Sequence, residues 1–94
     1  MEKSVKGAQT AIFSFQGDEL IMIKVHNTTN IGSLIRKKRV GLGMTQAQLA
    51  DVTGNGARFI SDLENGKQTM QIGKVLDTLY VLGFDVYVSA RGEN

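Results

Sequence analysis

The chain has 94 residues, enough for one domain, with 41% hydrophobic residues, a formal net charge of +2 and no cysteine. Disulfides and thiolate metal sites are therefore excluded. No apolar run approaches the roughly 20 residues of a membrane span, the N-terminus lacks the basic-then-apolar form of a signal peptide, and a cytoplasmic location is expected.

The charge is unevenly spread. Residues 28–70 carry Arg36, Lys37, Lys38, Arg39, Arg58 and Lys67 against Asp51, Asp62 and Glu64, while the flanking segments are close to neutral. A basic middle suits a polyanion partner.

Residues 1–27 read as an N-terminal extension. Residues 1–18 show no periodicity long enough to assign an element, whereas ELIMIKV at 19–25 is continuous and β-branched-rich, as in a strand. Met22 is an alternative start, and a start there would make the preceding residues dispensable.

NTTN at 27–30 opens the first helix of a domain expected to span 28–83. Ile31, Leu34, Ile35 and Leu42 lie near one face of that helix. The run Arg36–Arg39 lies on the other and reads mostly as a solvated polar face. Gly41 and Gly43 end it. Thr45 and Gln48 then match a capping box for a short second helix, with Leu49, Ala50 and Val52 as its apolar contacts.

Gly54 stops this helix in the left-handed conformation, and ARFISDLE at 57–64 starts a third. MQIGKVLDTLYVL at 70–82 has Ile72, Val75, Leu76, Leu79 and Leu82 at helical spacing, a fourth helix ended by Gly83. FDVYVSA at 84–90 alternates Phe84, Val86 and Val88 against Asp85, Tyr87 and Ser89, as in a half-buried strand.

Helices as short as the second and third are marginal alone, because nucleation is costly, so they form by packing on each other. Ala50 is small where the two should cross closely, Gly54 permits positive φ in the turn, and Ile60 fills the crossing. This spacing is the helix-turn-helix pattern, whose second helix enters the DNA major groove. Arg58, near the start of that helix, can donate two hydrogen bonds to guanine.

An enzyme is not expected. His26 is the one histidine and there is no cysteine, so neither a histidine-based triad nor a His/Cys metal cluster fits within one chain. Gly41-Leu42-Gly43 and Gly54-Asn55-Gly56 lack the spacing and βαβ context of a dinucleotide fingerprint. Neither a metal nor another cofactor is expected.

The segment 84–94 reads as a dimerisation strand and tail. A lone strand has no partner within four helices, so Phe84, Val86, Tyr87 and Val88 are expected to pair with the same strand of a second chain. Pairing with 19–25 of the same chain is the competing arrangement.

Residues 31–83 resemble a lambda-repressor-like (Cro/C1, XRE-type) helix-turn-helix domain. The resemblance rests on Arg39, MTQAQLA at 44–50, Gly54 and FISDLENGK at 59–67. ARFISDLENGK together with QIGKVLDTLYVLGFDVYV is similar to the HipB-type antitoxins. The resemblance implies a mainly α bundle of four to five short helices with a C-terminal strand. It implies a homodimeric, autorepressing antitoxin of a type II toxin–antitoxin pair, on palindromic double-stranded DNA, with a HipA-type serine/threonine kinase toxin as partner. A stand-alone repressor, or an inhibitor module that does not read DNA, are the alternatives.

The DNA-facing set implied by the resemblance is Thr45, Gln46, Asn55, Gly56, Ala57, Arg58, Ser61, Asp62 and Lys67. Gln46 and Lys67 would hold phosphates, and Ala57 would touch a thymine methyl. Asp62 would accept from cytosine or orient Arg58. Arg39 and Glu64 match positions that pair inside such domains, and Ala50, Gly54 and Ile60 are structural with them. Asn55 stands where the family has an aliphatic residue, and Gly56 where a Ser or Thr cap is common.

Overall fold

The computed structural model describes residues 9–16 and 19–91, with side chains from Met22 onward. The first eight residues of the N-terminal extension and the last three of the tail lie outside the described residues. The elements run β1 (Gln9–Gln16), β2 (Glu19–Val25), α1 (Thr28–Gly41), α2 (Gln46–Thr53), α3 (Ala57–Glu64), α4 (Ile72–Val81) and β3 (Asp85–Ser89). The fold is thus the expected helical bundle with a C-terminal strand. Among the described residues no helix is long and apolar enough to cross a membrane.

The strands differ from expectation. β1 lies between the other two in an antiparallel sheet of order β2-β1-β3. Its register sets Ile12 opposite both Ile23 and Val86. β3 therefore pairs with β1 of its own chain and not with residues 19–25, and it forms an edge of the sheet. In the sequence of β1, Ala11, Phe13 and Phe15 alternate with Thr10, Ser14 and Gln16, but Ile12 breaks the pattern and it is too short to assign by period.

The alternation in β3 has the right period, but its apolar face is only partly covered. Phe84 is buried in the core of its own chain and Val86 packs against that core, while Val88 is 78% exposed. Phe84 is thus part of the core of its own chain.

Each helix begins and ends on local chemistry. Asn27 caps α1 by accepting from the Asn30 N–H, and the Asn30 side chain accepts in return from the His26 N–H. At α2 the Thr45 hydroxyl accepts from the Gln48 N–H at 3.0 Å and the Gln48 side chain accepts from the Thr45 N–H at 2.8 Å, a complete capping box. Gly54 ends α2 at φ 78°, and its N–H donates to the Ala50 carbonyl. α3 has Gly56 at its N-cap and no side-chain cap.

The core draws on all four helices: Ile35 from α1, Leu49 and Ala50 from α2, Ile60 and Leu63 from α3, Val75 and Leu79 from α4. Fully burying one such aliphatic side chain stabilises by about 1.5–3 kcal/mol. Four residues expected to join them are exposed instead: Leu42, Val52, Ile72 and Leu76. Leu42 follows the last turn of α1, and the other three sit at the margins of their apolar stripes.

Candidate nucleic-acid interface

The α2–turn–α3 unit follows from three side-chain sizes. Ala50 is small and buried at the crossing, and Ile60, with no exposed surface, fills it from α3. Gly54 adopts the left-handed conformation that the turn needs at no steric cost. With Ile60, Leu63 and Glu64 buried on one face of α3, Arg58 and half-buried Asp62 lie opposite them, with exposed Ala57 in the first turn and half-buried Ser61 to the side.

Charge on that face is arranged around Asp62. Its Oδ2 lies 3.8 Å from Arg58 Nε and 3.7 Å from Lys67 Nζ, one carboxylate between two cations. The Arg58 side chain is 90% exposed. Such solvent-facing pairs contribute little to stability. Asp62 thus stands within ion-pair reach of both Arg58 and Lys67.

A second network fixes α3 from behind. Glu64 accepts from Arg39 Nε at 2.6 Å, from Arg39 Nη2 at 2.9 Å and from Gln46 Nε2 at 3.0 Å. Arg39 Nη1 donates to the Met44 carbonyl at 2.7 Å. One buried arginine thereby ties α1, the α1–α2 loop and the end of α3. Burial pushes the Glu64 carboxyl up, but hydrogen bonds from Arg39 and Gln46 and the charges of Arg39 and Arg36 outweigh it and hold the group below its ordinary value. The Arg39 guanidinium is raised by its hydrogen bond to Glu64, against desolvation.

Several residues read from sequence as DNA-facing also make hydrogen bonds within the chain. The Gln46 amide turns inward to Glu64, so its orientation is set by the network. What the start of α2 presents is backbone: the Gln46 and Ala47 N–H groups precede the first N–H accepted within the cap, that of Gln48. Helix N-termini of this kind bind anions. Thr45 spends its hydroxyl oxygen on the cap.

Asn55 is half-buried. Its Nδ2 donates to the Thr78 hydroxyl at 3.4 Å, and its N–H donates to Thr53 Oγ1 at 3.2 Å. It ties the turn to α4 and does not face outward. Thr78, itself without exposed surface, explains why a polar residue stands at position 55. Gly56, Ala57, Arg58, Ser61, Asp62 and Lys67 run from the start of α3 to the turn after it, and Asp62 links Arg58 and Lys67.

Sequence reasoning missed Gly32. A Cβ there would stand 2.3 Å from the Leu63 carbonyl oxygen and 2.9 Å from that of Glu64, so α1 touches α3 backbone to side-chain-free backbone. The Thr28 hydroxyl adds a bond to the Gly66 carbonyl at 2.8 Å, just past α3. A glycine inside an otherwise strong helix was the signal available.

Comparison with known proteins agrees with this geometry. Residues 35–75 match the helix-turn-helix family HTH_3. Over 70 residues, 74% of this chain and 92% of the relative, the chain is 46% identical to an uncharacterized HTH-type transcriptional regulator, y4mF, of Sinorhizobium fredii (strain NBRC 101917 / NGR234). The glycine turn between α2 and α3 and the arginine exposed at the front of α3 lie within the matched span, and the chain belongs to the HTH-type transcriptional regulators.

Proposed function

We propose that this DNA-binding regulator is a sequence-specific repressor that reads a palindromic operator as a homodimer, and that it is the antitoxin of a type II pair. The observation that carries the DNA reading is Arg58, 90% exposed near the N-terminus of α3 and flanked by Asp62. The first residues of a recognition helix reach base edges, and arginine donates in bidentate fashion to guanine O6 and N7. Ala57 offers a methyl to thymine, Lys67 and the α2 N-terminus meet phosphates, and the Arg39–Glu64 pair holds α3 at its angle.

Arg58→Ala is expected to weaken operator binding by roughly 1–3 kcal/mol and to relax specificity at one base position. Titration against single-base operator variants checks it. Equal losses on every sequence would reduce Arg58 to a phosphate contact.

Two-fold symmetry matches half-sites about 34–36 Å apart. An apolar stripe on α4, exposed Ile72, Leu76 and Tyr80 at four-residue spacing, supports a dimer surface outside β3. In an antiparallel pair centred on Leu76, each Ile72 meets the second copy's Tyr80. Leu76→Asp should give a monomer by sedimentation, with binding to a full operator reduced to that of a half-site. A dimer that survives the substitution would move the interface elsewhere.

The similarity of 57–67 and 71–88 to HipB-type antitoxins supports a HipA-type serine/threonine kinase toxin as the protein partner. Co-expression with a kinase-like product encoded beside this chain tests it. Co-purification in a defined ratio is expected, and a regulator that elutes alone would be a stand-alone repressor.

A further inference from the structure

An open groove of about 850 Å³ runs between the sheet and α1. On the α1 side it is lined by Asn30, Ser33, Leu34, Lys37, Lys38 and Gly41. Three- and four-residue spacing makes these one stripe along the helix. The residues that α1 buries, Gly32, Ile35 and Arg39, lie on its other side, where Gly32 and Arg39 meet α3. The groove therefore faces away from the recognition helix.

Its floor is apolar, made by Ile23, Leu34, Leu42 and Phe84, and Lys24, Lys37 and Lys38 stand around it. Among the described residues no Asp or Glu lines it, and none of the three lysines has a carboxylate partner. Lys38 Nζ lies instead 5.8 Å from the centroid of the Phe84 ring. Leu42 is 54% exposed there. An apolar floor offers nothing to a DNA backbone. A groove open along its length does not enclose the 70–90% of surface that a small-molecule site buries, by the usual rough measure.

We propose that this groove docks an acidic amphipathic helix of a partner protein. The helix lies along α1 with its apolar side chains on Ile23, Leu34, Leu42 and Phe84 and its carboxylates at Lys24, Lys37 and Lys38. From Asn30 to Gly41 the stripe runs about 17 Å, three turns of helix, and a helix in a groove is anchored at this same spacing. The proposal rests on the reading that this regulator has a protein partner. Because the groove and α3 lie on opposite sides of α1, partner and operator can be held at once.

The test uses the full chain and a fluorescent synthetic peptide of about 14 residues, with leucines at helical i, i+3, i+4 and i+7 positions and glutamates between them. Anisotropy should show this peptide binding about tenfold more tightly than a peptide with lysine for glutamate or one of scrambled order. Leu42→Asp and Lys37→Glu, both at exposed positions, should each weaken it by about tenfold, with melting temperature and operator binding unchanged. Equal binding of all three peptides, or binding indifferent to both substitutions, would overturn the proposal. So would self-association abolished by the same substitutions, which would assign the groove to a second copy. A kinase held equally by the parent chain and both variants would also overturn it while leaving the antitoxin reading intact.

Discussion

Arg39→Met should cost the fold about 3–5 kcal/mol, the loss expected when one partner of a buried ion pair is removed. The Glu64 side chain is 2% exposed and would keep only the Gln46 amide. The Met44 carbonyl would lose its donor as well. Denaturant unfolding of Arg39→Met, Glu64→Met and the double variant measures the effect. The double variant should regain much of the loss, because two apolar side chains leave no stranded charge. A single-variant loss below about 1 kcal/mol would place the pair with solvated surface bridges.

The same pair sets a pH dependence. In the native protein Glu64 is held below its ordinary value, so its contribution is fully present above about pH 4.3. It is lost as the pH falls from there through the folded value. In Arg39→Met, burial, the largest single influence, is opposed only by the Gln46 hydrogen bond and the Arg36 charge, and the group is expected to rise. The sign reverses: stability is gained in acid and lost as the pH rises through the raised folded value. Melting curves from pH 3 to 7, an interval of about four units around the ordinary carboxylate value, distinguish the two slopes.

Gly32→Ala should destabilise by about 1–3 kcal/mol, although helix propensity alone predicts a gain of up to about 1 kcal/mol. The added Cβ would stand 2.3 Å from the Leu63 carbonyl oxygen, and the obstacle is backbone, which cannot rotate aside. α1 and α3 must separate, which also moves α3 and its exposed Arg58. Gly41→Ala is the control. It lies in the same helix with nothing within 4 Å of the new Cβ, and its expected effect is neutral or slightly stabilising. A stabilised Gly32→Ala would show that α1 and α3 have room to spare.

The helix-turn-helix was readable because its determinants are local. Thr45 and Gln48 cap one helix, Gly54 sets one turn, and Ala50 and Ile60 meet across a short distance in sequence. The Arg39–Glu64 pair, 25 residues apart, was readable only through resemblance. Contacts made between distant elements left little trace. β1 is held by β2 and β3 on either side, and its own alternation is short and broken at Ile12. Asn55 reads as an exposed turn residue until Thr78 on α4 is seen beneath it. Gln46 reads as a phosphate ligand, and its hydrogen bond to Glu64, 18 residues away, leaves no trace in the sequence. Val88 continues the period of β3 into a part of the sheet that the helices do not cover.

The central claim is that the Arg58 face reads a specific DNA sequence. It is tested most directly by titrating the purified protein against its own upstream region and against scrambled DNA, at two salt concentrations. Tight, steeply salt-dependent binding is predicted for the upstream region, far stronger than for scrambled DNA. Weak binding of equal strength to both would contradict it and leave the helix-turn-helix as a scaffold for protein contacts.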